Sequence, residues 1–131
     1  EFGLASRLLH NPLDAEALID LSTLCLLQGK GHAHGIFQKQ ALALKRVFRQ
    51  STGSTAKAVH ILSVMVAGDF LANTPIEFLL ADFDVTLEKL FLVPGEGLPE
   101  IWPEHDVVFV AVSDSEENLT VLDALGRKLA N

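Results

Sequence analysis

Residues 59–77, Val-His-Ile-Leu-Ser-Val-Met-Val-Ala-Gly-Asp-Phe-Leu-Ala-Asn-Thr-Pro-Ile-Glu, constrain the fold more than any other stretch. The first half is almost wholly apolar, and Val59, Ile61, Val64 and Val66 are β-branched. Such a short run, interrupted at His60 and Ser63, predicts a strand buried on both faces, the usual setting of a parallel sheet. Gly68-Asp69 then breaks the run. Thr74-Pro75-Ile76-Glu77 predicts a helix start, with Thr74 as cap, Pro75 in the first turn and Glu77 closing a capping box. Phe78, Leu79 and Leu80 give that helix its expected buried side.

The alternation continues downstream. Asp82-Phe83-Asp84 ends the helix, and residues 87–93 predict a second strand that stops at Pro94-Gly95-Glu96-Gly97. Residues 98–103 read as a proline-rich crossover packed onto the sheet by Trp102. Residues 107–112 predict a third strand. Ser113 to Glu117 cap a final helix, whose positive end Asp114, Glu116 and Glu117 complement. Leu119, Leu122, Leu125 and Leu129 form its apolar stripe. Residues 56–131 are therefore expected to build an α/β unit, a three-stranded parallel Rossmann-like sheet with right-handed crossovers. The expected strand order is second, first, third.

Residues 1–50 read as helical. Leu4, Leu8 and Leu9 end a short helix, and Asn11-Pro12 opens the next, capped by the asparagine. Leu18, Leu21, Leu24, Cys25 and Leu27 or Gln28 make its stripe, and Gly29 stops it. A further helix carries Ala33, Ile36, Phe37, Ala41, Leu44, Val47 and Phe48 on one face. Residues 51–55, Ser-Thr-Gly-Ser-Thr, are the expected linker.

The hydrophobic share of 49% excludes general disorder and implies apolar surface covered by a partner, with a homodimer one such arrangement. A net charge of −7 disfavours nucleic acid, and Lys39, Lys45, Arg46 and Arg49 read as a solvated face. Cys25 is the single cysteine, which fits a small core residue and a reducing, cytoplasmic location. No apolar run approaches the roughly 20 residues of a membrane span. The chain opens at Glu1 and closes at Asn131 directly after a helix. Both ends read as cut, with Glu1-Phe2 as a cloning remnant, so an N-terminal piece of a longer protein is expected.

In open parallel sheets ligands bind beyond the carboxyl ends of the strands. Residues 68–73, 94–97 and 113–115 lie there, and the first is the best candidate. Gly68 allows close backbone approach, Asp69 and Asn73 offer polar groups, and Thr74 marks a helix N-terminus with N–H donors for an anion. The competing reading is structural: Asp69 caps a turn, Asn73 holds the loop and Thr74 is a cap. Phosphate-loop, dinucleotide and nucleophile-elbow patterns are all missing from the sequence. No catalytic or metal residue is assigned. His32 and His34 read as exposed turn residues, His60 as a satisfied flank residue, and Asp82, Asp84, Glu104 and Asp106 as solvated turn acids.

Asn11-Pro12, Ala15-Glu16-Ala17-Leu18, Leu21, Gln28-Gly29 and Gln38-Lys39-Gln40-Ala41-Leu42 resemble a tetratricopeptide hairpin, about one repeat long. The pattern departs at Gly31, where an aromatic is usual, and at His34, where a small residue is usual. Residues 67–80, together with 103–112 and 115–118, resemble the N-terminal part of an uncharacterised bacterial family. In that family a tetratricopeptide-like segment precedes an ATP-grasp-type region. The resemblance implies a pre-ATP-grasp-like unit that helps bind an acid or amine substrate through Gly68, Asp69, Asn73 and Thr74. It implies no catalysis by this chain alone. ATP and magnesium would be held by downstream domains of the same protein, and a protein partner could sit on the helical hairpin. Two alternatives stay open. One is the acceptor-side domain of a tetratricopeptide-containing glycosyltransferase, and the other a plain protein-interaction module.

Overall fold

A computed structural model describes residues 2–51, 58–69 and 71–130. The chain is a mixed α/β protein. In order, its elements are α1 (Phe2–His10), α2 (Ala15–Leu27), α3 (Gly31–Leu44), β1 (Val47–Ser51), β2 (Val59–Val66), α4 (Ile76–Leu79), β3 (Val85–Leu92), β4 (Val107–Val110) and α5 (Leu119–Leu129). A 3-10 turn, Glu116–Asn118, leads into α5. Contacts divide the chain into two units, with the boundary after Phe48, inside β1. The expected linker starts at Ser51, the last residue of β1, and its remaining residues 52–55 lie outside the described residues.

In the helical unit, Asp14 caps α2 instead of the expected Asn11: its Oδ1 accepts from the Ala17 N–H at 3.0 Å. Asn11 instead shapes the preceding turn by accepting from the Leu13 N–H. At the far end Gly29 (φ 74°) donates to Leu26 O and Lys30 to Cys25 O, the paired bonds of a Schellman stop. The expected leucine stripe is rotated. Ala17, Leu18, Ser22 and Cys25 are buried, whereas Leu27 is exposed. On α3 the buried residues are His34, Ala41 and Leu42, and Ile36 and Leu44 face outward. The small residues Ala17, Ser22, Cys25 and Ala41 share the buried positions with Leu18 and Leu42, while Leu27 and Leu44 lie at the exposed flanks. His34 is thus a core residue and not an exposed turn residue. Its Nδ1–H donates to the Ser22 carbonyl on α2 at 2.9 Å. The α3 helix stops at Leu44, with Lys45 already extended (φ −157°, ψ 142°), and Val47 and Phe48 enter β1. Their spacing mimics a helical face, but the Val-Phe pair carries the β-preference that prevails.

In the sheet unit the strand order is β1-β3-β2-β4. β3 and β4 both run parallel to β2, with Ile61 level with Leu87 and Val107. Relative to β2, the three anticipated strands stand in the anticipated order. The sheet itself has four strands, because β1 adds outside β3. Leu62, Ser63, Val64 and Val66 on β2 are essentially inaccessible, as a central parallel strand requires.

The crossover from β2 to β3 departs most from expectation. Pro75 (φ −78°, ψ 76°) forms an inverse γ-turn closed by Ile76 N–H to Thr74 O at 2.9 Å. Thr74 therefore sits one position too early to cap, and Glu77 reaches Lys89 at 3.4 Å instead of closing a box. α4 lasts one turn, burying Ile76 while Phe78 and Leu79 are exposed. Residues 93–106 cross to β4 without a helix, and the half-buried Trp102 donates its indole N–H to Pro99 O within that segment. On α5 the leucine stripe also narrows: Leu125 is buried, but Leu119 and Leu129 are about half exposed.

The Asp14 carboxyl is held below its ordinary value, first by the Ala17 N–H and then by the Arg7 guanidinium, which donates to both carboxylate oxygens at 3.0 Å. A depressed folded-state value makes the ionised form stabilising above the unfolded value, a contribution lost as pH falls through the folded one. Asp14→Asn keeps a cap acceptor but removes this titration. Urea midpoints followed by circular dichroism from about pH 6 to pH 2 should fall less steeply for the variant than for the parent chain.

Candidate functional site

At the carboxyl end of the sheet, β2 and β4 part. Up to Val64 the strands are bonded, and the Ala111 N–H still donates to Val64 O at 2.9 Å. Beyond that point Asn73 enters the gap. Its Oδ1 accepts from the Val66 N–H at 2.8 Å, and its Nδ2 donates to the Val66 carbonyl at 2.7 Å. The side-chain amide thus takes the place of a neighbouring strand for one residue of β2. The backbone of the same segment pairs with the continuation of β4. Asn73 and Val112 form an antiparallel bridge, flanked by Thr74 N–H to Ala111 O at 2.7 Å and Ser113 N–H to Ala72 O at 2.9 Å.

Above this wedge opens a cavity of about 510 Å³. One wall is the loop after β2, with Gly68, Asp69 and Leu71; the other is the segment after β4, with Ser113, Ser115, Glu116, Glu117 and Asn118. Both walls are locally braced. Asp69 Oδ1 accepts from the Leu71 N–H at 2.9 Å, and Asn118 Nδ2 donates to the carbonyl and hydroxyl oxygens of Ser113. Gly68 (φ 157°) is needed for close approach: a Cβ there would stand 2.6 Å from the Ala72 Cβ. The lining presents hydroxyls and carboxylates, with no lysine or arginine among the described residues that form it.

Of the four residues anticipated as substrate-side, Gly68 and Asp69 line the cavity. Asn73 and Thr74 lie beneath it as structural members, Asn73 through Val66 and Thr74 through Ala111. The expected anion site at Thr74 has no helix cap behind it, because the Thr74 N–H is already bonded and α4 is one turn long. Of the three anticipated loops, those after β2 and β4 meet, and residues 94–97 are not part of the lining. From sequence Glu116 and Glu117 read as helix-start acids, and the structure places them with Asn118 in the cavity wall. Their place in the wall follows from the 3-10 turn, which delays α5 and leaves them beside Ser113.

The amino end of the sheet is different. His60 Nε2 lies 2.8 Å from Glu88 Oε1, the His60 N–H donates to Asp106 Oδ2, and the Asp106 N–H donates to His60 O. Arg49 stands 4.0 Å from Glu88. His60 is thus a partnered flank residue. Among the described residues, no three histidine, cysteine, aspartate or glutamate side chains cluster as a metal site would require. Nor is any helix there long and apolar enough to cross a membrane. Comparison with protein-family models, curated proteins and solved structures gives no match.

Asn73→Ala leaves the Val66 N–H and carbonyl without partners and should cost about 1–3 kcal/mol in urea unfolding, with Asn73→Asp, which accepts but does not donate, falling between. Gly68→Ala should cost a similar amount, about 1–3 kcal/mol from overpacking against Ala72. Part of that cost should return in the Gly68→Ala/Ala72→Gly double variant, read as a positive coupling in the double-mutant cycle.

Proposed function

We propose that the sheet unit is the substrate-side, non-catalytic part of an ATP-grasp-type ligase, and that the crevice between β2 and β4 receives an amine-bearing small molecule. The observation that carries this reading is the cavity itself. It lies at the carboxyl end of a central parallel strand where the chain departs to both sides, the usual position for ligands in open α/β sheets. The lining supports this ligand class. Asp69, Glu116 and Glu117 supply negative charge, Ser113 and Ser115 supply hydroxyls, and among the described lining residues an anion would meet no basic side chain. ATP and magnesium belong, in this reading, to elements of a longer protein beyond these residues, as the family resemblance implies. The α2–α3 hairpin then serves as a tetratricopeptide-like docking element. The exposure of Leu27, Ile36 and Leu44 on it supports a protein partner there.

Amide-shift titration of the chain with a diamine and, separately, a dicarboxylate tests the reading. The diamine should move Gly68, Asp69, Ser113 and Asn118, and the dicarboxylate should not. Asp69→Asn and Glu117→Gln should each weaken diamine binding about three- to tenfold, equivalent to about 1 kcal/mol for a partly screened charge. Preference for the dicarboxylate, or shifts confined to other surfaces, would overturn the assignment.

A further inference from the structure

We propose that β4 is a docking edge and that its partner is β4 of a second copy of this chain, paired antiparallel across a two-fold axis. The sheet has two edges, β1 and β4. β1 carries Arg49, whose side chain is 62% exposed, a charge of the kind that guards an edge against pairing. β4 reads Val-Val-Phe-Val, without charge, proline or glycine.

The hydrogen-bond parity shows which of its groups are free. The Ala111 N–H points inward to Val64 O, so by strand alternation Val107 and Phe109 also point their backbone groups toward β2. The backbone groups of Val108 and Val110 point the other way. Among the described residues nothing pairs with them, and none of β4 is fully buried, with Val107 half exposed. Residues 72–74 do not close this edge, because they bond Ala111 and Ser113 on the inner side.

A second β4 fits this edge because the spacing is self-complementary. In an antiparallel pair with Phe109 opposite Phe109, Val108 of one copy exchanges both backbone bonds with Val110 of the other, and the reverse. That makes roughly four hydrogen bonds, with no like charges opposed within the ladder. The interface is closed, so it yields a dimer and not a filament. Each copy carries a charge of −7, so added salt should strengthen the association.

Sedimentation velocity of the chain from about 10 μM to about 1 mM tests this, together with amide shifts at Val108 and Val110. Four bonds and a small apolar contact place the dimer at the weak end of protein interfaces. A monomer–dimer transition in that range is expected, shifted to lower concentration by salt. Val108→Pro removes an outward N–H and leaves the bonds to β2 in place, so it should abolish the dimer while keeping the parent circular dichroism. If that variant unfolds, Val110→Lys carries the same test by placing a charge on the edge. A chain monomeric at about 1 mM overturns the proposal. So does a dimer that persists in the folded Val108→Pro or Val110→Lys variant, or open-ended assembly without a defined dimer.

Discussion

The pairing of the Asn73 side chain with the Val66 backbone holds the carboxyl end of the sheet in its present form. A central strand buried on both faces has no water to satisfy its last N–H and carbonyl once its neighbour diverges. Without a substitute partner, β4 would have to stay beside β2 to its end, and no crevice would open. Asparagine is the residue suited to this task, since its amide offers one acceptor and one donor in the same plane as a backbone unit. Aspartate lacks the donor, and the longer glutamine must order an additional rotatable bond. The same short segment bridges to Val112, so one loop both separates the two strands and ties them together.

That arrangement explains why the crossover to β3 carries so little helix. Residues 72–74 are spent on β-type bonds, and Pro75 turns the chain sharply before any helix can begin. α4 is anchored from below by Ile76 and by the Glu77–Lys89 pair. Its outward side, with Phe78 and Leu79, has no amphipathic length over which to bury them. The leucine stripe of α5 narrows for a related reason. The 3-10 turn at Glu116–Asn118 is held to Ser113 by Asn118, so α5 starts late and only its middle, at Leu125, reaches the core.

The features legible in the sequence were those whose physics is local or whose burial is complete. β2 announced itself by its apolar run, broken only at His60 and Ser63, and Gly29 by the left-handed geometry a helix stop needs. Features that depended on a distant partner were not legible. His34 looked like a turn residue because nothing local reveals the Ser22 carbonyl on the other helix. Thr74-Pro75 carried every local sign of a cap, yet the γ-turn at Pro75, with Thr74 tied to Ala111, moves the helix start one residue on. β1 was hidden because valine, phenylalanine and their neighbours continued a helical spacing into a strand. For the cavity, position could be read from sheet topology. The second wall at Glu116 and Glu117 could not, because it rests on a 3-10 turn that the acidic run alone does not distinguish from a helix start.

The two ends of the sheet then separate by how their polar groups are used. At the amino end His60, Glu88 and Asp106 satisfy one another across β2, β3 and the approach to β4. Those bonds brace the strand starts and leave little for a ligand to recruit. At the carboxyl end the bracing falls to the amides of Asn73 and Asn118 and to the Asp69 carboxylate, while Glu116 and Glu117 make no side-chain bond to another described residue. A charge not committed to the fold can be committed to a ligand at lower cost, because binding then breaks no internal bond. On the proposed reading, the carboxylates of Glu116 and Glu117, lining the crevice beside a framework held by Asn73, Asn118 and Asp69, are the groups a ligand would recruit.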